Sequence, residues 1–325
     1  MGMSARPSRL RPPSLADVEA AAIRIAPYVH RTPVLTCRSI DDVVGTRVHM
    51  KAEHLQRTGS FKMRGATNAV FALAADLATR GVAAHSSGNH AAALACAART
   101  RGIPCHVVMP ENTPAAKVDA TRAYGARVDF CAPTLQAREA ALRVVIEQTG
   151  ALEIHPYDHP DVVAGQATAA LELLHDRPQI ETVIAPVSGG GLLSGTAIAA
   201  HGINPALEVV GAEPEGVDDA FRSLTAGRLD VMGNTTSIAD GLLAVLSPFT
   251  FAILRAHDVK VVTVSEADIV AAMNLLFTRT KQVIEPSGAT ALAGLVTLAR
   301  TRELPANVGV ILSGGNVDLS SLPEL

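Results

Sequence analysis

The chain of 325 residues contains no tryptophan, and its aromatic residues together amount to 3 %. Surfaces that stack nucleic-acid bases rely on such rings, so their scarcity argues against a nucleic-acid partner. Basic charge is not in excess either: 28 Lys and Arg stand against 31 Asp and Glu, a formal net charge of -3. That leaves no positive field for a polyanion and favours small-molecule chemistry. Cysteine is sparse, and Cys37, Cys96, Cys105 and Cys131 form no CxxC pair. Neither a disulfide framework nor a zinc site is indicated, and the thiols are expected to be reduced and mainly structural. No apolar run reaches the length of a membrane span, and the opening MGMSARPSRLRPPS lacks the apolar core of a signal peptide. A cytoplasmic protein without a membrane partner is the expectation.

What is present is apolar residue in quantity, 48 % of the chain. At this length that exceeds one typical core and suggests two domains or one large α/β unit. Residues 1 to 13 are basic and proline-rich, the composition of a loose arm. Ser14 with Asp17 reads as an N-cap and its partner, opening an amphipathic helix to about Ala26. Short β-rich runs then alternate with helix-length segments such as Leu135 to Gln148. The runs are Arg47 to Ala52, Val82 to His85, Cys105 to Met109, Val128 to Cys131, Leu152 to His155, Val183 to Val187, Glu208 to Ala212, Lys260 to Val264 and Gly309 to Leu312. The alternation implies parallel sheets covered by helices, for which a TIM barrel serves almost as well as an open sheet. No repeat, heptad or low-complexity tract interrupts it.

Several stretches carry chemistry. Lys62 follows a Thr-Gly-Ser turn and precedes a run, Met63 to Leu77, that reads as a helix apart from Gly65. A nucleophilic lysine must be lowered from about 10.4, which burial or a helix N-terminus can do. Taken alone, it reads better as an ordinary solvated side chain. Ser86-Ser87-Gly88-Asn89-His90 follows a strand and opens an alanine-rich helix, where backbone N–H groups suit a carboxylate such as that of an amino acid. Ser188-Gly189-Gly190-Gly191-Leu192 also joins strand to helix, and glycines there let N–H groups converge on a phosphate. A dinucleotide fingerprint is poorly met, yet a phosphate- or nucleotide-binding protein of another kind stays open. Glu213-Pro214-Glu215-Gly216-Val217-Asp218-Asp219 is an acidic cluster with oxygen donors of the kind Mg²⁺ and Ca²⁺ prefer, although such loop acids are often merely solvated.

Gly59 to Ala66, GSFKMRGA, resembles the GSFKxRGA segment of the fold-type II pyridoxal-phosphate (PLP) enzymes, in the branch of serine/threonine dehydratases and serine racemases. Ser86 to His90, Ser188 to Gly195, Ile284 to Ala289 and Leu312 to Asn316 resemble that family's further motifs in the same order, over nearly the whole chain. The resemblance implies a two-domain α/β fold like that of the tryptophan synthase β chain, with residues 76-157 as a small domain and 1-75 with 158-325 as a large one. It implies that Lys62 holds the cofactor covalently, that Phe61 lies near the pyridine ring and Glu285 beside it, that Asn89 reaches the phenolic oxygen, and that Ser313 faces the ring nitrogen. Ser188 replaces the first of four family glycines and is expected to donate through its backbone, with Gly189, Gly190, Gly191 and Leu192 completing the phosphate loop. A serine at position 313 cannot hold a full proton on the ring nitrogen, so a weaker electron sink suited to β-elimination is implied.

Substrate contacts are implied for Ser86, Ser87, Gly88, Asn89 and His90, with Tyr157 lining the side-chain pocket and Arg138 able to meet an anionic group. Lys62 and Ser87 are the implied catalytic residues, Ser87 on the face opposite the lysine as in the racemases. Glu213, the carbonyl of Val217 and Asp219 match the family's Mg²⁺ or Ca²⁺ loop. A dehydratase of L-serine, L-threonine or hydroxyaspartate is therefore expected, with serine racemization as the alternative and a homodimer or homotetramer as the assembly. No long extension follows Leu325, so the regulatory domain of biosynthetic threonine dehydratases is expected to be absent.

Overall fold

The computed structural model describes residues 10–230 and 236–318. Among these residues ten strands run in the order β1 (Val34–Leu35), β2 (Arg47–Ala52), β3 (Val82–His85), β4 (Cys105–Pro110), β5 (Arg127–Cys131), β6 (Leu152–Glu153), β7 (Thr182–Pro186), β8 (Glu208–Pro214), β9 (Lys260–Val264) and β10 (Asn307–Leu312). The helices are α1 (Leu15–Ile25), α2 (Arg38–Val44), α3 (Lys62–Ala72), α4 (Ala75–Ala78), α5 (Asn89–Arg101), α6 (Ala115–Ala123), α7 (Leu135–Thr149), α8 (Pro160–Asp176), α9 (Gly191–Ile203), α10 (Asp219–Ala226), α11 (Pro248–Ala256), α12 (Glu266–Thr280) and α13 (Pro286–Thr301). They build two open sheets rather than a barrel, a six-stranded one ordered β1-β2-β10-β7-β8-β9 and a four-stranded one ordered β5-β4-β3-β6. All pairings between these strands are parallel except β1 with β2.

Alternation along each strand explains the layers, because successive side chains leave a strand on opposite faces. In the large sheet Val183, Ala185, Val209 and Ile311 join a core with Leu171, Leu193 and Ile253 of α8, α9 and α11. Their neighbours Ile184, Val210, Val310 and Leu312 join the opposite core with Ile40, Met273 and Leu292 of α2, α12 and α13. Both faces are buried, which is why these strands read as unbroken apolar runs. The smaller sheet repeats the pattern: Val82, Ala84, Val107 and Met109 face α3 and α5, while Ala83 and Val108 face α7.

The elements differ from the sequence reading in four places. The run from Met63 divides at Leu73 and Ala74, which take extended ψ values of 137° and 150°. The break is tertiary: the Arg101 guanidinium donates to the carbonyls of Val70 and Leu73, capping α3 from outside. Strand β1, a pair of residues, is too short to announce itself. Strand β6 ends at Glu153, although the Ile154 N–H still donates to the Ala83 carbonyl of β3 at 2.9 Å, so the pairing stops short of His155. Of the expected arm, residues 1–9 lie outside the described residues, whereas Pro13 is buried and Arg11 pairs with Asp17 at 2.8 Å.

Parallel register brings the motifs together. Ala52 lies level with Leu312 and Pro186 with Ala212, so the loops after β2, β10, β7 and β8 leave the same edge of the large sheet. Loops at the carboxyl ends of parallel strands are where such folds bind ligands.

Candidate active site

Lys62 is the first residue of α3, and its segment is stitched to the loop after β10. The Phe61 N–H donates to the Ser313 carbonyl at 3.0 Å, and Gly315 N–H donates to the Gly59 carbonyl at 3.0 Å. Gly59 has φ 75°, and a Cβ there would strike the Asn316 amide, so only glycine fits this turn. The Lys62 amine donates to the Pro156 carbonyl at 3.1 Å and lies 5.1 Å from the Phe61 ring centre. Burial draws this amine down to about 8, against the opposing pull of the Glu285 charge. A sizeable fraction is therefore unprotonated near neutral pH, as a nucleophile requires.

Glu285 precedes α13 but does not cap it. Its buried carboxyl accepts from Asn89 Nδ2 at 2.9 and 3.2 Å and from the Asn316 N–H at 3.1 Å. Burial pushes it up to about 7, with the Asn89 hydrogen bond working the other way. Asn316 Nδ2 in turn donates to Asn89 Oδ1 at 2.8 Å and to the Thr58 carbonyl at 2.7 Å. Asn89, Glu285 and Asn316 thus form one hydrogen-bonded unit spanning the two sheets.

The Ser86 to His90 loop opens α5 as expected, with Gly88 at the N-cap position and no side-chain capping bond. Ser86, Ser87, Gly88 and Asn89 keep part of their surface open, while His90 is buried. His90 Nε2 lies 2.9 Å from the Ile154 carbonyl and must donate to it, and burial next to Lys62 lowers the imidazole to about 3. His90 is thus neutral and structural, tying the loop to the segment that receives the lysine.

That segment, Ile154 to Tyr157, links the lysine with the glycine turn. Gly190 takes φ 86°; a Cβ on Gly189 or Gly191 would run into Tyr157, and one on Gly190 into Leu246 and Thr250. Ser188 is not among the residues with positive φ, so the serine sits there without strain. Its hydroxyl donates to the Ala244 carbonyl and accepts from the Ala244 N–H, both at 3.1 Å. Leu192 and the neighbouring amides open α9, whose first N–H groups lack helical partners. Ser313 is buried, with only a long 3.5 Å bond from its hydroxyl to the Ser287 carbonyl.

Pro156 and Tyr157 are consecutive, one holding the Lys62 amine and the other lying against Gly189 and Gly191, while Phe61 is bonded to Ser313. An enclosed amine, a glycine turn at a helix start and a buried hydroxyl are therefore neighbours, the donor set that an aldehyde-bearing pyridine phosphate requires. The family profile described as pyridoxal-phosphate dependent enzyme matches residues 25–314. The chain belongs to this family. Within the pyridoxal-phosphate-dependent enzymes it is 44 % identical over 312 residues to the serine racemase of Oryza sativa subsp. indica, covering 95 % of this chain and 92 % of that protein. It is likewise 44 % identical over 313 residues to the beta-hydroxyaspartate dehydratase of Paracoccus denitrificans, with 96 % and 98 % covered. The solved structure of the threonine deaminase of T.th. superposes with a TM-score of 0.89 at 47 % identity, covering 94 % and 99 % of the two chains.

Around this centre the remaining site residues are distributed unevenly. Tyr157 meets the His155 ring edge-on at 4.6 Å, and burial pushes its phenol up to about 12. Arg138 on α7 has its Nε buried without a partner, as does Nδ1 of His85, and its charge acts on that histidine. The acidic loop stands further back. Glu213 accepts from the Ala220 and Phe221 N–H groups at 3.1 and 2.9 Å, and Asp219 from Leu246 N–H at 3.2 Å. Burial pushes Glu213 up to about 8 and Asp219 up to about 6. Among the described residues no group of three His, Cys, Asp or Glu side chains is placed to hold a metal.

Sequence reasoning gave no role to Asn316, His85 or the Pro156 carbonyl. Asn316 lay inside a quoted motif, and an amide after two glycines was its one signal. Nothing marked His85 or a proline carbonyl, whose parts depend on where distant strands end.

Proposed function

We propose that this pyridoxal-phosphate enzyme is a dehydratase that converts a 3-hydroxy amino acid, L-serine, L-threonine or hydroxyaspartate, into a 2-oxo acid and ammonia. The observation carrying this reading is the Lys62 amine, enclosed and lowered to about 8 between Pro156 and Phe61. The cofactor would be carried on Lys62 and, once the substrate amine displaces the lysine, would supply an electron sink that acidifies the substrate's α-hydrogen. The amides of Gly189, Gly190, Gly191 and Leu192 would hold its phosphate, Asn89 its phenolic oxygen and Ser313 its ring nitrogen, with Phe61 and Glu285 beside the ring. The Ser86 to His90 loop would hold the α-carboxylate. The displaced Lys62 amine then takes the α-proton as general base and passes it to the β-hydroxyl, which leaves as water, and hydrolysis of the released enamine gives the oxo acid and ammonia.

Racemization is the second reading, favoured by the serine at position 87 beside Asn89. Returning a proton from Ser87 to the far face of the α-carbon would give the mirror-image amino acid. For the substrate side chain, the unpartnered Nε–H of Arg138 supports hydroxyaspartate, whose second carboxylate it would neutralise. Incubating L-serine, L-threonine and hydroxyaspartate separately, with assays for both oxo acid and D-isomer, tests these readings together. Failure of all three substrates to yield either product would reject them.

Three further expectations belong to this proposal. Mg²⁺ or Ca²⁺ would sit on Glu213, Asp219 and the Val217 carbonyl, relieving two buried carboxylates that repel each other. Residues 76-157 would form the small domain, a division supported by β3 to β6 sharing a sheet. The assembly would be a homodimer or homotetramer, which light scattering decides.

A further inference from the structure

Residues 240 to 246 touch the glycine turn, the acidic loop and the start of α13 without carrying any of the site's motifs. Gly241 N–H donates to Ser287 Oγ at 3.0 Å, next to the carbonyl that receives Ser313. Ala244 is bonded both ways to Ser188, and Leu246 N–H donates to Asp219. From the opposite side comes Lys117 of α6, a helix packed on α5 and β5 of the smaller sheet. Its amine meets Asp240 Oδ2 at 2.6 Å, with side chains 39 % and 60 % exposed. This contact joins the half of the site that carries Asn89 to the half that carries Glu285, Ser188 and Ser313. Both charges act on the buried Glu285 carboxyl, Asp240 pushing it up and Lys117 drawing it down.

We propose that Lys117 and Asp240 are positioning residues for the reaction: their ion pair clamps α6 onto the 240 to 246 segment across the cleft rim and holds the two halves in register. Neither residue touches the reacting atoms. Because the pair is exposed, its effect is small and salt-dependent, roughly two- to fivefold in an equilibrium between clamped and open forms. The effect falls on substrate capture, so KM rises more than kcat falls.

The inference rests on the function proposed above only for its kinetic readout, and hydrogen exchange supplies a second one. In the cofactor-loaded enzyme, K117A and D240A are each expected to lower kcat/KM roughly two- to fivefold. Each should also speed amide exchange in peptides covering residues 115–123 and 240–246, with the melting temperature unchanged. The charge-swapped double variant K117D/D240K should restore both readouts. Added NaCl should weaken the wild type toward K117A while leaving K117A itself unmoved. Wild-type exchange and kcat/KM in both single variants, or a double variant no better than either, overturns the clamp. A wild type inactive on every substrate would reject the proposed function, while the exchange comparison would still decide the clamp.

Discussion

Arg64, two residues after Lys62, is fully buried and ends in a closed quartet of charges. Its Nε and Nη2 donate to Glu53 at 2.7 and 2.8 Å, and Nη1 and Nη2 donate to Glu172 at 2.8 and 2.9 Å. Lys51 completes the set, 2.6 Å from Glu172 and 2.7 Å from the Thr32 carbonyl. Side-chain exposure is 0 % for Lys51, Arg64 and Glu53 and 14 % for Glu172, so two cations face two anions away from water. Glu53→Gln leaves two cations on one carboxylate. Removing one partner from a buried pair costs about 3–5 kcal/mol, mostly through the charge left behind. Arg64 cannot relieve this by losing its proton, because a guanidinium stays charged in a protein even when buried. Lys51 can, since burial already lowers it. A lysine lowered in the folded state binds fewer protons there than when unfolded, so stability rises with pH, and the deficit of the variant should shrink as the pH rises toward the ordinary lysine range. Urea unfolding followed by far-ultraviolet circular dichroism measures this, since a chain without tryptophan gives no indole fluorescence to follow. A deficit below about 1 kcal/mol, the range of an exposed pair, would refute the reasoning.

The cofactor-free protein should take up PLP at a rate that climbs about tenfold per pH unit and levels off near 8, where burial sets the Lys62 amine; a rate still climbing toward pH 10 would contradict that value. Ser87→Ala should keep ammonia release within about threefold while D-isomer formation falls by about 100-fold or more, the usual contribution of a general acid; equal loss of both would remove Ser87 from the far-face role. Mg²⁺ or Ca²⁺ at a hundred times its dissociation constant should stabilise the protein by about 2.7 kcal/mol, and Glu213→Gln should abolish that gain. A His90→Gln variant that folds should leave the pH profile unshifted between pH 5 and 9, because the wild-type imidazole at about 3 never titrates there.

Much of this architecture could be read before any coordinates. β2, β3 and β9 begin and end where the sequence runs do; β2 and β3 are covered on both faces, so their pattern stops when burial stops, whereas β9 is an edge strand and mostly only half-buried. α1 was legible through its cap, since Ser14 and Asp17 form the expected reciprocal bonds. The break after Ala72 was not legible, as it depends on an arginine arriving from α5. The same holds for the charge quartet: Arg64 stands in a recognisable motif, but Glu172 reaches it only because α8 crosses α3. Glu285 directly precedes α13, and its bond to Asn89, on the other sheet's side of the cleft, is not legible from that position. Such partners are set by packing over long sequence distances, where local periodicity carries no information.

Lys62 as the covalent anchor of PLP beside the Ser188 to Leu192 turn is the claim on which the rest depends. Loading the protein with PLP, reducing it with borohydride and locating the added mass by peptide mass spectrometry addresses this directly. The expected result is a visible band lost on reduction and cofactor mass confined to the peptide bearing Lys62, with none in Lys62→Ala. Cofactor mass on any other lysine, or an unmodified Lys62 in protein that retains the band, would contradict it.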